Sequence, residues 1–423
     1  MAKTVPVGRV PIGIGRRARV IRRHRGLSLD VVAGLAGIAE DRLSMLESGE
    51  RRFGRRGLIE DLANAIGCPV IVLTGQPYLP VDRATADALA VVPGIRLAVC
   101  DTTLDDPLDL LARPRPVAEL ARWAQQAQEH LDQDRYARAG RDLRTLLSEL
   151  QVHAAADNAD IRDPALAALV TAWHVGAAIA GMIGYHDLAL SAGRRELDAA
   201  ARLGDPVALG LARLGWAGAW INVGARPQAQ AANGLALAEL DAVADPSAAD
   251  TGAAELLGMH HLLAAKLAAR AGRAGDADGH LDEARTLAVR TGERNTALLH
   301  FGPINVALWT MSVGADLGEG PRDYERVHHD PLDVDCLNSR ERTGSYHFDC
   351  ARAMAQHGGA RDDEAIRHLD LADQAAPVRM RNHPIVRELT EELTQRARKY
   401  LREVDSLLDR FGLTGQRSPR VNN

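Results

Sequence analysis

Glycines recur at a nearly constant spacing through the larger part of this chain, each after a long apolar stretch. They lie at intervals of 40, 48, 42 and 44 residues, as Gly184, Gly224, Gly272, Gly314 and Gly358. Glycine ends a helix well because it adopts the left-handed conformation without a steric penalty. A period near 44 residues accommodates two helices with their turns, so the spacing predicts stacked helical hairpins, which form an α-solenoid.

The composition also favours an all-α fold. Aromatic residues make up 4% and apolar residues 46% of the 423 residues. Strands favour aromatic and β-branched side chains, and a disordered chain carries few apolar ones, so both alternatives are disfavoured. Because the length exceeds that of one domain, we divide the chain into three parts. These are a helical head over residues 10–75, a proline-rich linker with one helix over residues 76–116, and helical repeats over residues 117–415.

The head contains the spacing of a helix-turn-helix motif. Ala33 is small where two helices must approach closely, Gly37 permits a sharp turn, and Leu43 and Leu46 anchor the second helix of the motif. In such a motif the second helix enters the major groove of DNA. With the amphipathic segments on either side, the pattern predicts five short helices between residues 14 and 75.

Both parts of the chain resemble known families. The segment IGRRARVIRRHRGLSLDVVAGLAGIAEDRLSMLESGERR, which begins at Ile14, resembles the xenobiotic-response-element family of lambda-repressor-like transcriptional regulators. Ala365, Leu369, Ala372 and Pro377 follow the second-helix spacing of a tetratricopeptide repeat. The whole chain is similar to actinobacterial regulators that join such a head to a degenerate tetratricopeptide body. This resemblance implies a homodimer formed through the body, binding to a double-stranded DNA operator, and control by an effector.

The helical period predicts which side chains of the head contact DNA. If Leu43 and Leu46 face the core, steps of about 100° point the residues between them outward. Outward side chains read base edges, whereas arginines contact phosphates without reading sequence. The predicted base-reading residues are Glu40, Asp41, Ser44, Met45 and Ser48. The predicted backbone contacts are Arg16, Arg17, Arg42, Arg51 and Arg52, together with Ser28, the predicted N-cap of the preceding helix.

The charge distribution is consistent with DNA binding by the head alone. Residues 1–60 carry a net charge of +7, and the remainder carries −12. Two features favour an alternative, a protein-interaction adaptor whose head does not bind DNA. Leu29 opens the second helix where the family usually has glutamine, and Glu40 and Asp41 bring acidic charge to the start of the recognition helix.

The body is predicted to sense a peptide, a small molecule or a protein partner. The first helices of solenoid repeats line the concave face, and here they combine aromatic with polar residues. The candidate effector contacts, each near the glycine that closes its repeat, are Trp216, Trp220, Asn222, His261, Asn305 and Trp309.

Other kinds of site are not predicted. His347 and Cys350 are one helical turn apart, but no second spaced pair completes a zinc site, and no nucleotide-binding motif is present. We therefore predict no catalytic residues, no metal and no cofactor. The four cysteines lack CxxC spacing and no signal pattern follows Met1, which favours a cytoplasmic protein. The apolar stretch over residues 165–185 is rich in alanine and glycine, so we predict a buried helix rather than a membrane span.

Overall fold

The computed structural model describes residues 13–101, 114–329, 332–396 and 402–413. These residues form α-helices and one short 3₁₀ helix, and they contain no β-strand. The predicted all-α class is confirmed: a helix-turn-helix head precedes a body of many helices.

The head consists of α1 (Ile14–His24), α2 (Leu29–Leu35), α3 (Glu40–Ser48), α4 (Arg56–Ile66) and α5 (Val70–Thr74). Between α2 and α3 the chain turns at Gly37, whose φ of 67° lies in the left-handed region. Gly15 in α1 lies directly against α3, since a Cβ added there would be 1.8 Å from the carbonyl oxygen of Leu46. Only glycine permits this close packing of α1 on α3.

The segment after the head contains more structure than the predicted linker with one helix. It has two helices, α6 (Arg83–Leu89) and α7 (Val92–Asp101). The one helix predicted in this segment, over residues 84–92, covers most of α6 and only the first residue of α7. Ala88, Val92 and Ile95 are buried in the core of the body. Because both helices bury apolar side chains in that core, the segment packs onto the body as part of it. The predicted linker residues 102–113 lie outside the described part of the chain.

In its described residues, the body continues with sixteen helices and a 3₁₀ helix at Val334–Leu337. The helices are α8 (Val117–Asp132), α9 (Tyr136–Ala139), α10 (Leu143–Ala154), α11 (Ala159–Met182), α12 (His186–Leu203), α13 (Pro206–Asn222), α14 (Arg226–Asp241), α15 (Gly252–Arg270), α16 (Ala274–Thr291), α17 (Pro303–Leu317), α18 (Gly320–Val327), α19 (Arg340–Ala355), α20 (Asp362–Ala375), α21 (Pro377–Asn382), α22 (Pro384–Arg396) and α23 (Arg402–Arg410). From α11 to α20 consecutive helices pair as hairpins, and α11, α13, α15, α17 and α19 pack side by side. This is the arrangement of a solenoid.

The turns of these hairpins explain the glycine spacing, with one correction. Gly184, Gly224, Gly272 and Gly358 all have positive φ and lie in turns. Gly314, in contrast, lies inside α17, where a Cβ would be 2.0 Å from the Asp323 carboxylate of α18. The turn glycine of that hairpin is Gly318, with φ of 87°. Gly314 is therefore required for close helix packing rather than for a turn.

One described helix, α11, is long and apolar enough to cross a membrane, with a mean hydropathy of 1.6 in its most apolar window. In this structure 61% of that window is buried inside the protein. Trp173 is only 1% exposed, and α8, α10, α12 and α13 surround the helix. Within this fold α11 is a core helix of the body.

The head and the end of the body share one apolar core. Ile14, Leu62 and Leu73 of the head belong to the same buried cluster as Leu389 and Phe411 near the C-terminus. The head is thus docked on the body through its buried side, and this docking determines where the rest of its surface points.

Candidate nucleic-acid interface and central cavity

The outward face of α3 is polar and exposed. Leu43 and Leu46 are buried, whereas Met45 is 37% exposed, as the helical period predicts. All five residues predicted to read bases are exposed on α3, namely Glu40, Asp41, Ser44, Met45 and Ser48. Within the head α3 packs on α1 and α2, so these five side chains lie on the side that faces away from the core of the head.

A buried ion pair fixes α3 to α1. Arg22 donates through Nε and Nη2 to the two carboxylate oxygens of Glu47, each at 2.7 Å, and through Nη1 to the Leu27 carbonyl at 2.9 Å. The hydrogen bond to Glu47 raises the pKa of Arg22. A two-point contact of this kind fixes both distance and direction, so it orients the exposed face of α3. This pair was not predictable from the sequence, because its partners are 25 residues apart and each resembles a surface residue.

Two arginines predicted to contact phosphates are used inside the molecule instead. Arg17 donates through Nη1 to the carbonyl oxygen of Leu73 at 2.9 Å. Arg52 forms an ion pair with Glu391 of α22 at 2.6 Å, and its side chain is 14% exposed. Both guanidinium groups stabilise the packing of the head, so we remove Arg17 and Arg52 from the set of phosphate contacts.

The remaining predicted backbone contacts differ in accessibility. Arg16 and Arg51 are exposed, whereas Arg42 is half-buried. Burial, and then the nearby positive charges of Arg55 and Arg51, lower the pKa of Arg42. Ser28 is exposed and caps α2, since its hydroxyl accepts the backbone N–H of Val31 at 3.2 Å. Its proximity to a helix N-terminus suits a phosphate contact.

Charged side chains also join the head to the body. Glu60 of α4 is fully buried, with Oε1 lying 3.0 Å from Arg270 and 3.5 Å from Arg56, and Oε2 lying 3.6 Å from Arg226. Arg226 also pairs with Asp61. Three guanidinium groups therefore surround the single buried carboxylate of Glu60 where α4 meets the solenoid.

Glu388 of α22 contacts the head in a different way. Its Oε2 accepts the backbone N–H of Phe53 at 3.2 Å, and the residue is 5% exposed. Burial raises the pKa of Glu388 to about 7. The junction between head and body thus contains a carboxyl group that changes charge near neutral pH.

Replacing Glu388 by Gln should flatten the pH dependence of stability. The Glu388 carboxyl releases its proton near pH 4.5 in the unfolded chain but near pH 7 in the folded protein. Its contribution to stability is therefore fully present below pH 4.5 and is lost as the pH rises through 7. As the pH rises from 5 to 8, the free energy of unfolding of Glu388→Gln should increase by about 2–3 kcal/mol relative to that of the unmodified protein. Urea unfolding at each pH measures this difference. The exposed Glu129→Gln variant is the control, and a Glu388→Gln curve parallel to that of the unmodified protein would contradict the prediction.

A cavity of about 400 Å³ and a neighbouring one of about 330 Å³ lie where the head meets the solenoid. Their walls have seven residues in common: Arg56, Gly218, Asn222, Arg270, Arg342, Arg379 and His383. We therefore describe them as the first and second chambers of one central cavity. Arg56 of the head lines both chambers, and Gln76, which follows α5, lines the first.

Three of the six predicted effector contacts lie at this central cavity. Asn222 lines both chambers, and Asn305 and Trp309 line the second. Asn305 is fully buried and its Nδ2 donates to the Leu299 carbonyl at 3.1 Å. Its Oδ1 has no hydrogen-bond partner among the described residues.

The other three, Trp216, Trp220 and His261, are not part of either chamber's wall. The two indole rings pack edge to face at 5.6 Å, and His261 Nδ1 lies 3.1 Å from His280 Nδ1. Nearness to a turn glycine does not determine which face of a helix a residue occupies. Gly218 and Asn222 share one face of α13, whereas Trp216 and Trp220 share another.

The basic wall of the cavity was not among the predicted features. Its body residues are Lys266, Arg270, Arg342, Arg352 and Arg379. One signal was available, because Lys266 and Arg270 lie one turn apart in the largely apolar C-terminal half of α15, where buried charge is costly unless it has a function or a partner. The other residues come together only through the fold. In the described part of the chain, no three potential metal ligands form a group.

Comparison with known proteins identifies the head. A family model described as a helix-turn-helix domain matches residues 14–73, which correspond to α1 through α5. No curated protein and no solved structure matches the chain. The match, together with the exposed face of α3, points to a DNA-binding regulator.

Proposed function

We propose that this protein is a sequence-specific transcriptional regulator of the xenobiotic-response-element type. The exposed polar face of α3, oriented by the buried Arg22–Glu47 pair, carries this proposal. Asp41 can accept from the amino group of cytosine, Ser44 can pair with several bases, and Met45 can contact a thymine methyl. Consistent with its composition, we assign the protein to the cytoplasm and propose no enzymatic activity.

The body is proposed to form a homodimer and to be a tetratricopeptide-like domain of the actinobacterial type. One small head buries too little DNA surface for regulatory specificity, whereas two heads spaced about 34 Å apart read two half-sites of one operator. The stacked hairpins from α11 to α20 support this assignment of the body.

We further propose that the body is an effector sensor. Its central cavity is lined by both head and body residues, so an occupant changes the energy of their docking. An effector acts only if it binds one arrangement of the head and body better than another. A differential affinity of about 1–3 kcal/mol would change operator affinity about 5–150-fold.

The adaptor is the second candidate function, and the start of α3 favours it. Glu40 and Asp41 are both exposed there, and carboxylates close to DNA phosphates oppose binding. Under this alternative the face of α3 binds a basic protein surface instead of DNA.

The salt dependence of DNA binding tests the regulator proposal. Because each phosphate contact releases counterions, Arg16→Gln and Arg51→Gln should each reduce the slope of log affinity against log salt by about one unit and weaken binding to all sequences alike. Arg83→Gln is the control, since its side chain is 93% exposed and lies outside the head. Fluorescence anisotropy with labelled duplexes measures both quantities. Slopes equal to that of the unmodified protein in both head variants would favour the adaptor.

A further inference from the structure

The wall of the central cavity has more positive than negative charge. Arg352 and Lys266 pair with Asp316, and Arg352 also pairs with Asp349 at 2.9 Å. Arg379 lies 2.5 Å from the Glu341 carboxylate. These contacts provide Lys266, Arg352 and Arg379 with carboxylate partners.

Two other arginines of the wall, Arg56 of the head and Arg342 of α19, have no carboxylate of their own. Arg342 Nε lies 3.5 Å from Glu341, which already pairs with Arg379, and Arg56 Nε lies 3.5 Å from Glu60, which is shared with Arg270. Neither Nε makes a hydrogen bond among the described residues, and Arg56 is only 7% exposed. Buried cations of this kind are costly unless an anion pairs with them.

His383 lies close to the same excess of positive charge. It lines both chambers, and burial followed by the positive charges of four arginines, Arg56, Arg379, Arg352 and Arg270, lowers its pKa well below the usual value. The four arginines act on His383 in addition to its burial, and the excess of arginines and lysine over carboxylates in the wall makes the space between the chambers electropositive.

The second chamber adds an apolar wall. Five apolar side chains line it, namely Trp309, Leu263, Leu308, Phe348 and Ile385. An occupant that extends from the electropositive space into this chamber therefore needs a charged end and an apolar body. The two volumes, about 400 and 330 Å³, suit a small organic molecule rather than a folded partner.

We propose that the central cavity binds a small amphipathic anion, with its carboxylate or phosphate held by Arg56, Arg342 and Arg379 and its apolar part against Trp309. Guanidinium groups recognise both kinds of anion through paired hydrogen bonds. This inference rests on the proposed effector function and names the class of effector. Because Arg56 belongs to α4 of the head, the bound anion bridges the DNA-binding part to the solenoid.

Gly218 provides a direct way to close this site. It lies in α13 on the wall of both chambers, and a Cβ added there meets no atom within 4 Å. Leucine at this position fills the space between the chambers and leaves every charged residue in place. Gly234 of α14 is the matched control, because it is also a helical glycine with open space around a new Cβ but lies outside both chambers.

The experiment is isothermal titration of the full chain with octanoate, octyl phosphate and neutral 1-octanol. We expect both anions to bind with one site per chain, at least tenfold more tightly than octanol, and the tighter of the two identifies the preferred charged group. Gly218→Leu should weaken anion binding at least tenfold, and Gly234→Leu should bind as the unmodified protein does. If Gly218→Leu loses helicity by circular dichroism, Arg342→Gln replaces it with the same expected loss.

Equal binding of octanol and the anions, or unchanged anion binding in the folded Gly218→Leu and Arg342→Gln variants, would overturn the proposal. DNA binding without added anion is measured in parallel. If the protein binds DNA but none of the anions, the proposed anion site is refuted and the regulator proposal stands. A protein that binds the anions but no DNA retains the site and refutes the regulator proposal.

Discussion

Replacing Asp316 by Asn should lower the free energy of unfolding by about 3–5 kcal/mol. Its side chain is 3% exposed and lies 3.0 Å from Lys266 and 3.4 Å from Arg270, with Arg352 as a third cationic partner. The amide retains the shape of the carboxylate but leaves three cations without their shared negative charge. Urea unfolding followed by circular dichroism measures the loss.

The same variant should also respond differently to acid. Burial alone would raise the pKa of Asp316, but Lys266, Arg352 and Arg270 outweigh it and hold the pKa well below its usual value. A lowered pKa gives stability that is present above the unfolded value near 4 and is lost as the pH falls towards the folded value. The difference between Asp316→Asn and the unmodified protein should therefore shrink below pH 4. Asp282→Asn, at an exposed ion pair, is the control. A constant difference across pH would contradict the assignment.

Replacing Arg22 by Met should destabilise the protein by a comparable amount, about 3–5 kcal/mol, and abolish DNA binding. The change leaves Glu47, which is 3% exposed, as a buried carboxylate without its guanidinium partner. Because the pair joins α1 to α3, its loss also leaves the exposed face of α3 without a fixed orientation, and DNA binding is lost.

The double variant Arg22→Met with Glu47→Leu separates these two effects. An apolar pair of similar volume removes the unpaired charge, so most of the stability should return in urea unfolding. DNA affinity should return in parallel if α3 regains its position. If Arg22→Met alone unfolds at the same urea concentration as the unmodified protein, the buried pair does not hold α3 in place.

The sequence predicted those features that depend on local periodicity. Steps of about 100° from Leu43 and Leu46 placed Ser44 and Met45 on the exposed face of α3, where the structure has them. Glycines also predicted most of the hairpin turns, because the left-handed conformation of a turn is a local requirement of the backbone. Gly314 shows the limit of this signal, because close packing against another helix requires glycine equally.

Features that arise from tertiary structure were not predictable in this way. Arg56 and Arg379 meet at the central cavity although more than three hundred residues separate them. The segment after the head was interpreted as a linker because of its prolines, yet Pro93 occupies the second position of α7, where a proline costs little. Trp216 and Trp220 were predicted as effector contacts because of their distance from a glycine, but they lie on a face of α13 that does not line the cavity.

Selection from random DNA duplexes by the purified full-length protein at low salt tests the central claim most directly. We expect enrichment of a pseudo-palindromic site whose half-sites are about one helical turn, 34 Å, or a multiple of it apart. For Ser44→Ala we expect a changed base preference at one position per half-site. Recovery of no preferred sequence would contradict DNA recognition by α3 and would favour the adaptor.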